Sequence, residues 1–200
     1  MVRALGKGAQ AYERAALGLL RARLEAAAPA PAPPGEGSHG PSPAELMSDL
    51  LERSLTQDTA RGQRDAFVAV LRQLVPDEAR IIAALAEGPP APLVHVLPRA
   101  GGERILENAS LIGRSAALTL PSQTPTYVTH LRQLGLVEEG PEDPDNKQGY
   151  EMLMADRAVR AALKEGELSK LPARTLRRTL VLTAHGRALW DACAAGASGA

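Results

Sequence analysis

Two hundred residues carry 23 Lys plus Arg against 23 Asp plus Glu, so no net charge draws the chain as a whole onto nucleic acid or an acidic membrane. The single cysteine, Cys193, excludes an internal disulfide and a cysteine-rich zinc site and fits a reducing, cytoplasmic setting; as a free thiol it is expected to be a small buried apolar residue. Aromatic residues are only 2 %, so the core must come from Leu, Val, Ile and Ala, and no run of about 18 apolar residues exists to cross a membrane.

Residues 1–27 read as one amphipathic helix. At about 100° per residue Arg3, Lys7, Arg14 and Arg21 fall within about 40° of one another, opposite Val2, Leu5, Ala9, Tyr12, Ala16 and Leu19. Such a helix can pack on the protein's own globular part with its arginines solvated, dock on a protein partner or a second copy, or lie peripherally on the anionic inner membrane surface. Residues 28–41, almost wholly Ala, Pro, Gly and Ser, form a linker. Residues 42–75 hold a helical pair expected to pack on the domain after it. Ser42-Pro43-Ala44-Glu45 sets a capping hydroxyl, a first-turn proline and a reciprocal glutamate, with Met47, Leu50, Leu51 and Leu55 as the apolar stripe. The second helix starts near Ala60 and aligns Phe67, Val70, Leu71 and Leu74.

Residues 76–193 alternate helices and strands. Pro76-Asp77-Glu78 opens a helix with two carboxylates at its positive end, burying Ala79, Ile82, Ala83 and Leu85, and Gly88-Pro89 closes it. Leu93 to Leu97 is strand-like, Gly101-Gly102 turns, and Ile105-Leu106 returns as a short hairpin. Asn108 then caps a helix through Leu111, Ile112 and Ala116. Thr124 and Pro125 start another, with Tyr127, Val128, Leu131 and Leu134 at helical spacing until Gly135 stops it. Leu136 to Glu138 is a strand expected to pair near Val181, in a second strand over Leu180 to Thr183. Thr183 caps a last helix holding Leu189, Trp190 and Cys193, with Trp190 buried against the sheet; residues 194–200 are a tail.

The expected fold is mainly α (α+β): a winged-helix-like module whose wing is replaced by an insertion of about 140–178. That insertion is too long for a hairpin connection and must be structured, with helices over Tyr150 to Met154 and Ala158 to Lys164.

No reacting constellation accompanies this plan. His39, His95, His130 and His185 lack metal-ligand spacing, and His95 is expected as a half-buried strand residue. Gly113-Arg114-Ser115-Ala116-Ala117 lacks the second glycine of a nucleophile elbow, and Glu103 after Gly101-Gly102 would repel phosphate. Nothing calls for a catalytic set, a metal or a cofactor. A winged helix that reads DNA would use the helix over 124–134, whose candidate contacts are Thr126, Thr129, His130, Arg132 and Gln133. Arg174, Arg177 and Arg178 could clamp phosphate or balance neighbouring acids. The stretch that should be a basic wing begins instead with Glu138, Glu139, Glu142, Asp143 and Asp145, which favours protein contacts over DNA.

Four segments carry a family resemblance: Leu74 to Ile81 (LVPDEARI), Asn108 to Gly113 (NASLIG), Leu131 to Glu138 (LRQLGLVE) and Leu182 to Trp190 (LTAHGRALW). Over about residues 71–193 they resemble the Abi-alpha family, whose name refers to abortive infection, meaning bacteriophage resistance. The resemblance implies a process and no catalytic residue. Together the readings describe a non-enzymatic interaction module with an unknown protein partner or itself; a winged-helix DNA-binding transcriptional regulator is the alternative.

Overall fold

The computed structural model describes residues 40–99, 103–168 and 173–197, so the expectations for Arg3, Lys7, Arg14, Arg21 and for the Gly101-Gly102 turn lie outside the described residues. The chain divides into two compact units, Met1–Ala66 and Phe67–Ala200. Among the described residues no helix is long and apolar enough to cross a membrane.

In the first unit α1, Pro43–Ser54, begins as its sequence dictates. The Ser42 hydroxyl accepts the Glu45 N–H at 3.3 Å, and the Glu45 carboxylate accepts the Ser42 N–H at 2.7 Å. It buries none of its residues, and Leu46, Met47, Leu50 and Leu55 are exposed. The next helix, α2 (Thr59–Leu71), starts where Asp58 accepts the Arg61 N–H.

The second unit is α+β. After α3 (Pro76–Glu87) come β1 (Ala91–Pro98), β2 (Leu106–Ser110), a single turn α4 (Ile112–Ser115), a 3₁₀ turn (Pro121–Gln123) and α5 (Thr124–Gln133). Then follow β3 (Val137–Gly140), α6 (Lys147–Ala155), α7 (Arg157–Leu168), β4 (Ala173–Leu182) and α8 (Ala184–Ala197). The four strands form one antiparallel sheet in the order β2-β1-β4-β3. The expected pairing is present: Val137 faces Leu182 and Glu138 faces Val181.

Register divides the sheet into two faces, because cross-strand partners share a face and neighbours along a strand alternate. Leu93, Leu180 and Val137 point into the main core with Ile81, Ile82, Leu85, Val128, Leu131 and Leu189. Val94 and Val96 point the other way, onto α6 through Tyr150 and Leu153 and onto α7 through Val159 and Ala162. The two helices of the insertion thus cover the second sheet face as a third layer.

Two glycines have specific work. Gly135 ends α5 at φ +68, a conformation without steric cost only for glycine, while at Gly186 a Cβ would run into the Leu136 carbonyl. Thr183 caps α8 as expected: its hydroxyl accepts the Gly186 N–H at 2.9 Å and donates to the Gly135 carbonyl at 2.6 Å.

Several expectations need correction. Ile81 is fully buried whereas Ala79 is exposed, so the inward stripe of α3 is Ile81, Ile82 and Leu85. Asn108 lies in β2 and caps no helix; the hairpin partner of β1 extends through it to Ser110. The Thr124 hydroxyl donates back to the Pro121 carbonyl at 2.7 Å, and the side chain is buried beside Gly113. Trp190 is only half-buried at the margin of the core, and Cys193 is exposed, because α8 buries nothing over 191–195. The insertion ends before Ala173: the stretch holding Arg174, Arg177 and Arg178 is strand, held to β1 along eight consecutive pairs.

Candidate functional site

A buried polar network in the second unit arises from a break in strand register. Val94 pairs with Ala109 but Val96 pairs with Leu106, so β2 carries one residue too many opposite His95. The extra residue is taken up at Asn108, whose φ of +57 lies in the left-handed region that asparagine tolerates better than most side chains. Its N–H consequently points at a side chain instead of a carbonyl. It donates to Nδ1 of His95 at 3.1 Å, which assigns the ring proton to Nε2.

His95 has the parity of Leu93 and Glu139 that of Val137, so both face the main-core side of the sheet. His95 is fully buried, and its Nε2 stands 3.2 Å from Oε1 of Glu139. The same oxygen lies 2.7 Å from Nη1 of Arg132 and 3.9 Å from that of Arg104. The two guanidinium contacts are ionic, whereas the neutral ring meets the carboxylate only as a dipole; among the described residues neither Nε2 nor Oε1 makes a well-aligned hydrogen bond. Burial pushes the His95 pKa below its ordinary 6.5; Glu139 opposes that shift, while Arg104 and Arg132 add to it. Asn108 closes the network onto α5: its amide donates to the Thr129 hydroxyl at 2.8 Å and its carbonyl accepts from Arg132 at 3.1 Å. The network opens at a shallow groove of ≈ 500 Å³ bounded by Glu107, Thr129, Arg132, Gln133 and Glu138. Its chemistry is positional: one carboxylate and two guanidiniums lock β1, β2, β3 and α5 around a neutral imidazole.

A second set of buried carboxylates comes from the start of α3. Asp77 accepts the N–H groups of Thr119 and Leu120 at 3.0 and 2.9 Å, and these bonds, the Thr119 one foremost, hold its carboxyl below the usual 3.8. Glu78, 2 % exposed, accepts the Val75 N–H with one oxygen and meets His130 Nδ1 at 2.7 Å with the other. The pair therefore fastens α3 to the 119–120 turn and to α5, beyond the dipole role that their position suggests.

The residues expected to face DNA divide accordingly. Thr126 and Gln133 are exposed, and the Thr126 hydroxyl donates to Gln123. Thr129 donates to the Pro125 carbonyl and accepts from Asn108, His130 meets Glu78, and Arg132 meets Glu139 and Asn108. Arg174, Arg177 and Arg178 are not brought together. Strand alternation puts Arg177 on the insertion side, 3.4 Å from Glu142 and 5.5 Å over the Tyr150 ring, and the other two on the opposite face. Sequence reasoning missed His95, Asn108 and Glu139; the legible signal was two titratable side chains at strand positions whose parity faces the core.

No curated protein matches this chain. A solved structure described as an uncharacterized protein from the hydrocarbon-degrading marine bacterium Alcanivorax borkumensis SK2 is similar to it. The two share 29 % identity over 68 % of this chain and 96 % of that one, with a TM-score of 0.56. The model of the family abortive infection alpha matches residues 20–193, which is most of the chain, and the protein therefore belongs to the abortive infection alpha family.

Proposed function

We propose that this protein serves an abortive-infection response as a non-enzymatic interaction module that engages another protein and not DNA. In this reading α3, β1, α4, α5, β3 and β4 are the helices and strands of a winged helix, β2 is an added edge strand, and α6 and α7 replace the wing tip. Helix α5 would then be the recognition helix. The observation that carries the reading is the internal use of its polar side chains: Thr129, His130 and Arg132 are engaged by Asn108, Glu78 and Glu139. A helix that reads DNA needs such groups free for base edges and phosphates. Beside it, the exposed Glu138 adds repulsion.

An electrophoretic mobility assay of the full chain with mixed duplex DNA at low salt tests this, and no shift is expected. A tight shift that weakens steeply with salt and is lost in Thr126→Ala/Gln133→Ala would install the transcriptional regulator in its place. For the process itself, cells expressing the chain should support smaller phage bursts than cells lacking it.

A further inference from the structure

Helix α7 buries Val159 and Ala162 against β1 and turns its other side outward. Arg157, Arg160 and Lys164 are all exposed there, and at about 100° per residue they fall within about 60° of one another. None has a carboxylate partner among the described residues, in contrast to Arg53, Arg104, Arg114, Arg132 and Arg177. Two of the three sit in the first turn of the helix, where its dipole disfavours positive charge, so their placement costs stability instead of adding it.

Alongside this face runs a groove of ≈ 440 Å³ between α7 and the 3₁₀ turn leading into α5. Its lining includes Leu111 and Leu153, and its α7 wall is Arg157, Ala158 and Ala161, where small side chains leave room. At its rim Asp156 is already neutralised by Arg114 at 2.9 Å, which leaves Arg157 without a carboxylate partner among the described residues at the mouth.

We propose that this face docks an acidic peptide segment of a partner protein, with one apolar side chain of the segment entering the groove and its carboxylates pairing with Arg157, Arg160 and Lys164. The inference rests on the protein-contact reading above and names the chemistry of the partner. Charge complementarity selects an anion, and the apolar groove selects a peptide among anions. Three cations spread over about 10 Å match a few carboxylates, whereas phosphate-driven binding to a duplex typically neutralises about six to ten phosphates and offers nothing apolar to the groove. The exposed side of α7 likewise lacks the Trp and Phe that anchor a helix in a bilayer.

The test is fluorescence anisotropy with the full chain and a short labelled peptide of Glu and Gly around one central Leu. A Leu→Ser peptide, a short DNA duplex and phosphatidylserine vesicles are run in parallel. R157E/R160E/K164E should weaken peptide binding by about tenfold or more, and filling the groove with Ala161→Trp by several-fold, with circular dichroism and melting showing each variant folded. R61E/R64E/R72E, which changes net charge equally at exposed positions of α2 and the residue after it, should change binding less than about twofold. No binding, or binding indifferent to the Leu or to the α7 substitutions, would overturn the surface while leaving the protein-contact reading in place. Duplex DNA bound more tightly than peptide and lost in the α7 reversal would overturn both. Vesicle binding lost in that reversal, or sedimentation showing that it splits a dimer, would overturn the peptide proposal in favour of a membrane or a second copy.

Discussion

Helices α5 and α7 pack on the same sheet from opposite faces, and each carries basic groups: His130 and Arg132 on the first, Arg157, Arg160 and Lys164 on the second. On α5 every one of these groups meets a carboxylate of the protein's own, Glu78 or Glu139, within 2.7 Å. The three on α7 meet none among the described residues. Two surfaces of similar composition thus differ in one respect: the basic groups of the first are engaged within the fold, and those of the second meet no carboxylate among the described residues. A helix's place in a familiar element order therefore does not decide whether it recognises a ligand; what decides is whether its polar ends are already engaged.

If that contrast is right, substitutions on the α5 side should damage stability and those on the α7 side should not. The largest effect is expected at Asn108. Asn108→Ala removes one partner each from Thr129 and Arg132 and leaves a less tolerant residue at φ +57, so it should cost on the order of 3 kcal/mol in urea unfolding. A loss under about 1 kcal/mol would mean that the network is ornamental.

Tyr150 sharpens the comparison from the insertion side. It is 1 % exposed, and its hydroxyl donates to the Arg178 carbonyl at 2.9 Å while accepting the Asp143 N–H at 3.1 Å. Tyr150→Phe keeps the packing but orphans both backbone groups, and about 1–2 kcal/mol should be lost. The third layer is therefore held by its inward side, independently of the outward cations.

A smaller effect, confined to mild acid, is expected from His95. Its folded pKa lies below 6.5 because burial favours the neutral ring, so below 6.5 the unfolded chain takes up a proton that the folded chain refuses. The corresponding stability is present above that pH and is lost as pH falls from 6.5 toward the folded pKa. Thermal melts between about pH 7 and pH 5 should show this decline, and His95→Gln should flatten it. Asp77, with its carboxyl held below 3.8, contributes stability above that value and loses it only at still lower pH, as a separate limb.

The smallest expected effect is on α7. R157E/R160E/K164E should melt close to the unmodified chain, each substitution contributing within about 0.5 kcal/mol, since exposed side chains with no carboxylate partner among the described residues are being exchanged. A large destabilisation would show that these cations serve the fold after all and would erase the contrast with α5.

What the sequence determined by itself was whatever depends on residues within about one helical turn. Ser42 with Glu45, Gly135, and Thr183 announced helix ends through capping chemistry, and they sit where that chemistry put them. Local patterning also disclosed α6, α7, β3 and β4 as elements, while the pairing of Val137 and Glu138 with β4 was inferred from the order of those elements and not from a local signal. The candidate site was legible only as parity, with His95 and Glu139 facing inward; their partners were not. The Asn108 N–H reaches His95 across 13 residues and His130 reaches Glu78 across 52, because a register shift and helix packing bring them together. Only the tertiary structure could make Asn108 a strand bulge instead of a helix cap, turn Arg177 away from Arg174 and Arg178, and leave Cys193 exposed. Each of those outcomes is set by a neighbour distant in sequence, and local propensity carries no term for it.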